Sequence, residues 1–294
     1  MEGADIRFPH IGIEIGNLER YLSVFGYPVA YYGMIITFGM LMGYFMASWT
    51  AKRTKQDKEL YLDFALYAIL MAVVGARIYY VVFEWDSYKD NLIQIFNLRG
   101  GGLAIYGGII GGVLTAVIYA KVKKIPLLLL LDTSCIGLVT GQMIGRWGNF
   151  VNREAFGGFT DNIFAMQLKI SEVQSKYITD ELRKHIVHLD GTDYIQVHPT
   201  FLYESIWNFC LLCFLIFFTK KKKFDGEIFY LYLLGYSLGR IWIEGLRTDQ
   251  LKLPGTDLAV SQLLSIVLAV VSFILIIDGR RKARKLGYTR IWKS

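Results

Sequence analysis

Seven stretches of the chain, 29–49, 60–83, 103–120, 126–147, 201–219, 228–246 and 258–277, are apolar over close to the length at which an α-helix crosses a bilayer. That length is about 20 residues at a rise of about 1.5 Å each. In lipid every peptide N–H and C=O must be satisfied within its own segment or a closed barrel, so few folds remain open to such a chain. The expected fold class is all-α: a polytopic integral membrane bundle of seven transmembrane helices. A single membrane domain covers 1–294, and the long polar insertion 148–200 forms a small extracytoplasmic head. Composition agrees, because 54% hydrophobic and 19% charged residues are too apolar for an ordinary water-soluble domain. Met1 to Tyr27 is mixed and polar and does not read as a cleavable signal peptide.

The net charge of +7 would suggest nucleic acid if the cations shared one soluble face. Instead they fall between the apolar stretches. Lys52, Arg53, Lys55 and Lys58 separate the first two, Lys121, Lys123 and Lys124 the third and fourth, and Lys220 to Lys223 the fifth and sixth. Arg280, Arg281, Lys282, Arg284, Lys285, Arg290 and Lys293 follow the seventh. These alternate loops share one side, which the positive-inside rule makes cytoplasmic. The N-terminus is therefore expected outside and the C-terminus inside, with no nucleic-acid partner. Cys135, Cys210 and Cys213 lie in apolar stretches and form no ligand set with the scattered histidines, so no metal is expected.

A charge in the hydrocarbon costs from about 2.5 kcal/mol upward and marks a functional hypothesis. Arg77, Arg146, Arg240 and Glu244 occur late in spans two, four and six, which run outward. Tyr32, Tyr106 and Glu204 occur early in spans one, three and five, which run inward, and His198 just precedes span five. All share one depth, in the outer half of the membrane. Arg240 and Glu244 are four apart and can pair on one helix face, and an arginine near a helix end can snorkel; either explanation serves for one arginine. Three arginines against one carboxylate in span six leave spare positive charge, for which an anion is the complement. Guanidinium suits phosphate because its fork donates two parallel hydrogen bonds.

Glycines crowd the start of span three, from Arg99 to Gly112 around Tyr106, and would let helices or a lipid chain approach the backbone closely. No Lys-Ser/Thr follows, so this is not a nucleotide loop. The run Gly141 to Gly157 combines Arg146, Asn149, Asn152 and Glu154 where span four meets the outer surface, more donors and acceptors than a helix end needs. His198-Pro199 and Tyr203-Glu204 mark the entrance to span five.

At these residues the sequence resembles the prolipoprotein diacylglyceryl transferases, integral enzymes of the bacterial plasma membrane. Gly145 to Gly157 looks like the family signature, Gly-Arg-x-Gly-Asn-Phe-x-Asn-x-Glu and then Gly. Tyr32-Gly33, Arg77, the Gly-Gly region at Tyr106, His198-Pro199, Tyr203-Glu204, and Arg240 with Glu244 support it in family order over nearly the whole chain. The resemblance implies that a precursor's lipobox cysteine, in its signal peptide, attacks the glyceryl carbon of phosphatidylglycerol that bears the phosphate ester. A thioether forms, glycerol phosphate leaves, and no cofactor is needed; phosphatidylglycerol, prolipoprotein signal peptides and membrane lipids are the partners. By similarity Arg146 and Arg240 would hold the phosphate and Glu244 would orient Arg240. Tyr32, Asn149, Glu154 and Gly157 would shape the headgroup pocket, with Arg77, Asn152, His198, Tyr203 and Glu204 as further substrate-binding candidates. Tyr106 stands where several members carry a histidine. A tyrosine is a poor base near neutrality, so the general base is unassigned, and Tyr106 is a catalytic candidate through its hydroxyl, which can hydrogen-bond the phosphate or thiol. The rival function is a transporter of an anionic lipid or small anion, since intramembrane charges also mark ion paths.

Overall fold

The computed structural model describes residues 4–98, 101–189, 191–253, 255–256 and 258–287. Arg99 and Gly100 of the glycine-rich stretch, and Arg290 and Lys293 of the basic tail, lie outside them. Seven long helices form where the apolar stretches predict them: α1 (Tyr31–Arg53), α2 (Lys58–Phe83), α3 (Ile105–Lys123), α4 (Leu127–Asn152), α6 (Thr200–Thr219), α7 (Glu227–Leu246) and α8 (Val260–Lys285). Six are long and apolar enough to cross a membrane. The exception, α7, matches them in length but carries Glu227, Arg240 and Glu244. Leucines, isoleucines and phenylalanines such as Leu66, Ile118 and Phe217 cover the outside of the bundle, as hydrocarbon solvent allows. The protein is thus mostly helical, with the surface of a multi-pass membrane protein.

Glycine sets the closest helix contacts. A Cβ on Gly43 of α1 would lie 2.6 Å from the carbonyl oxygen of Gly137 in α4, and one on Gly137 would lie 2.5 Å from that of Gly43. Only hydrogen fits there, so these backbones meet as small residues allow in membranes. Helix α4 is central and also packs on α3, α6 and α7. Between its two ends, Cys135, Ile136, Val139, Leu211, Leu212, Leu215, Ile228 and Tyr232 form an apolar core.

The polar parts depart from the helix-only expectation. Strands β1 (Ile6–Phe8), β2 (Ile13–Ile15), β5 (Met166–Lys169), β6 (Val187–Leu189) and β7 (Thr192–Val197) build one antiparallel sheet in the order β2-β1-β5-β7-β6. A short helix α5 (Asp180–Lys184) contributes Leu182 to its core, with Ile6, Phe8, Phe156, Leu168 and Ile195. A separate hairpin, β3 (Tyr21–Val24) and β4 (Tyr27–Ala30), leads into α1. Strands of three to six residues are too short to stand out by alternation. The pairing of residues 6–8 with 166–169 is invisible locally. Four helices separate these partners, an even number, so the chain returns to the end from which it started.

Candidate active site

At that end a chain of alternating charges crosses three elements. Arg146, near the end of α4, places Nη2 2.8 Å from Oε1 of Glu204 in the first turns of α6. The same Oε1 receives Nη1 of Arg240, in α7, at 3.1 Å. Arg240 also binds Glu244 one turn on, as its i,i+4 spacing predicts. Arg247, just past α7, approaches Glu244 at 3.9 Å and grips Asp249 in a two-bond fork, Nε and Nη2 each 2.8 Å from a carboxylate oxygen. Burial penalises both members of this last pair, but their mutual attraction wins: the Asp249 carboxyl is held below its ordinary range and the Arg247 guanidinium above its own.

The convergence anticipated from depth is present, but its charge is not as expected. Arg146, Arg240 and Arg247 face Glu204, Glu244 and Asp249, three cations against three anions, so the spare positive charge disappears. What remains uncommitted is hydrogen-bonding capacity. Among the described residues, Arg146 uses one of its nitrogens and its side chain keeps 21% of its exposure, leaving most of its fork for another acceptor.

A polar shelf borders the cluster where α4 ends. Glu154 Oε1 accepts from Asn149 Nδ2 at 2.9 Å and from Asn152 Nδ2 at 3.4 Å. Between them Arg153 adopts a left-handed conformation and turns into the sheet layer, donating to Asp5 at 2.9 Å and to Val151 O at 2.9 Å. Gly157 has its N–H on His198 O at 3.0 Å, and an added Cβ would lie 2.7 Å from the His198 Cβ. Tyr32, at the start of α1, lies against Gly148, where a Cβ would come within 2.7 Å of its ring. His198 faces the Tyr203 hydroxyl at 3.3 Å, which in turn accepts from Asn162 Nδ2 at 2.9 Å. Burial lowers the His198 pKa below its usual value, so its ring is neutral at pH 7. An apolar groove of about 340 Å³ runs between α4 and α6, lined by Met143, Ile144, Trp147, Leu202, Ile206 and Phe209 over Ser205.

Two sequence candidates stand elsewhere. Arg77, 7% exposed, does not present its fork to a ligand. All five of its N–H donors go to backbone carbonyls: Nε to Ile95, Nη1 to Gly101 and Gly102, and Nη2 to Gln94 and Asn97. It is saturated by the α2–α3 connection, whose carbonyls have no side-chain signature. Arg77→Lys should therefore raise amide hydrogen exchange across 92–98, because three rotatable donors cannot replace a five-donor fork; unchanged exchange would contradict this. Tyr106, in the first turn of α3, makes no hydrogen bond among the described residues and does not join the arginines. Sequence reasoning missed Arg247 and Asp249. The i,i+3 spacing from Glu244 was the available signal, but it runs past the helix end.

The profile of the family described as prolipoprotein diacylglyceryl transferase matches residues 20–278. The chain is 43% identical over 268 residues to the phosphatidylglycerol–prolipoprotein diacylglyceryl transferase of Bacillus cytotoxicus, covering 91% of this chain and 94% of that one. It is 42% identical over 245 residues to the protein of the same name from Clostridioides difficile, 83% and 88% of the two chains. With that of Bacillus cereus it shares 41% over 268 residues, 91% and 94%.

Proposed function

Since the chain belongs to the prolipoprotein diacylglyceryl transferase family, we propose that it transfers the diacylglyceryl group of phosphatidylglycerol to the lipobox cysteine thiol of prolipoproteins. A thioether forms and glycerol phosphate is released. The observation that supports this most directly is the meeting of Arg146 and Arg240, from separate helices, on one carboxylate oxygen. Two guanidinium groups that share one oxygen are spaced to share a phosphate oxygen equally well.

In this scheme Arg146 and Arg240 hold the phosphodiester and stabilise the charge that builds on the leaving phosphate. Glu244 orients Arg240, and Arg247 with Asp249 keeps Glu244 in place. Asn149, Asn152 and Glu154 offer donors and acceptors to the hydroxyls of the glycerol headgroup, while Tyr32 and Gly157 wall the pocket. His198 and Tyr203 lie where the precursor would approach. The groove between α4 and α6, lined by Trp147 and Ser205, the sequence neighbours of Arg146 and Glu204, has the apolar lining an acyl chain requires. All seven long helices span the membrane, α7 included, because its charges are paired rather than bare. The sheet layer is the extracytoplasmic head, the N-terminus is outside, and the basic loops face the cytoplasm. A transporter would need a polar route between the two ends of the bundle, and the apolar core of α4, α6 and α7 stands across it.

Purified protein in phosphatidylglycerol-containing micelles should lipidate a peptide carrying a lipobox cysteine, adding the mass of one diacylglyceryl group and liberating glycerol phosphate. A Cys→Ser peptide should stay unmodified. Peptide of unchanged mass in the first reaction would refute the assignment.

A further inference from the structure

The charge balance at the site poses a question the family arginines alone do not answer. With three cations already matched by three anions, an incoming phosphodiester adds an uncompensated negative charge unless a carboxylate gives way. Glu244 and Asp249 keep Arg247 whatever happens at Arg146. Glu204 differs: among the described residues its ion-pair contacts are Arg146 and Arg240, both on Oε1, with Arg247 acting only at longer range, and its other oxygen makes no hydrogen bond. It thus has the position, the sign and both donors that a phosphate oxygen would take.

We propose that Glu204 holds the phosphate's place between the two guanidinium groups, is displaced from them by the phosphodiester, and then accepts the proton of the attacking thiol. The inference rests on the diacylglyceryl-transfer reading and deepens it by supplying the base. The charged and titratable groups packed around Glu204 are Arg146 from α4, Arg240, Glu244 and Arg247 from α7 and its end, and Tyr203 and His198 at the start of its own helix. Once its two arginines turn to the phosphate, Glu204 is a carboxylate with 4% of its side-chain surface exposed, beside a second anion. A buried charge without its partners is neutralised by a proton, and the thiol of the bound precursor carries the nearest one to be released. The S–H proton passes to Glu204 as sulfur bonds to the glyceryl carbon. The C–O bond to phosphate breaks with its electron pair on oxygen. Glycerol phosphate then leaves as the dianion, takes up the proton from Glu204, and the carboxylate returns to Arg146 and Arg240. A histidine at position 106 is not required.

Glu204→Gln separates this role from simple support of the arginines, since it keeps the shape and removes both the charge and the basic oxygen. Using the full chain in phosphatidylglycerol micelles with a lipobox peptide, kcat at pH 7 should fall about 100-fold or more, the range of general-base catalysis. KM for phosphatidylglycerol, and the affinity for glycerol phosphate as a direct binding probe, should be equal or tighter, because the internal competitor is gone. That binding also certifies a folded site. The residual rate should climb about tenfold per pH unit towards the free thiol's value near 8.5, as the peptide ionises unaided, while the parent enzyme shows a shallower rise. Glu204→Asp should restore part of kcat. A Glu204→Gln enzyme with normal kcat overturns the proposal, as does one whose KM rises while its pH profile keeps the parent's shape. No transfer by the unsubstituted protein would remove the function itself, and with it this role.

Discussion

Arg146→Lys is expected to lower diacylglyceryl transfer by two to three orders of magnitude, about the loss seen when one preorganised donor is taken from a developing anion. Charge is conserved, so the effect isolates geometry. Arg146 reaches Glu204 with one nitrogen and keeps the rest of a planar fork in a partly open position; lysine would bring a single strongly hydrated ammonium on a flexible stem. The loss should appear in kcat, with a smaller change in KM, because the phosphate acquires its extra charge only as the C–O bond breaks. Arg240→Lys should be at least as severe, since Arg240 touches both Glu204 and Glu244 and its removal splits the charge chain at its middle. Normal turnover by Arg146→Lys would dispose of the phosphate-clamp role.

The second large effect lies at the opposite end of the bundle and concerns stability. Asp132 of α4 binds Lys222 Nζ at 2.8 Å with both side chains under 5% exposed. Its Oδ2 also accepts the Gly226 N–H at 2.8 Å and its Oδ1 the Phe229 N–H at 2.9 Å. One side chain thus caps the start of α7 from another helix and holds the α6–α7 turn. Asp132→Ala removes all three interactions at once, and although Lys222 keeps Asp225 at 2.8 Å, losing charged hydrogen bonds to buried partners costs on the order of 3 kcal/mol. The thermal midpoint in detergent should fall on the order of 10 °C. Transfer by the fraction still folded should change little, because the apolar core of α4, α6 and α7 separates Asp132 from the arginines. An unchanged midpoint would show that this cap is dispensable.

The helices were legible because lipid permits so little else: apolar runs of the right length have one solution, and the seven expected stretches coincide with α1–α4 and α6–α8. The meeting of Arg146, Glu204 and Arg240 followed from counting residues along oppositely directed spans. What could not be read was partnership. Whether Glu204 neutralises arginines or awaits substrate depends on side-chain directions across α4, α6 and α7. The cage around Arg77 consists of carbonyls that every residue carries. Arg153 sits unmarked between Asn152 and Glu154, yet it is among the most buried charges in the chain. The sheet escaped because its strands are short and its pairing joins distant segments.

That sheet has an implication for biogenesis. β1 is an interior strand, flanked by β2 and β5, although it precedes α1 and β5 follows α4. Residues 6–8 can pair with the neighbouring β2 at once, but their other edge stays open until α1–α4 have been made and 166–169 has been delivered beside them. Closing so long a loop is slow. The five-stranded order is therefore completed only after the first four long helices, a constraint that the helices themselves do not share.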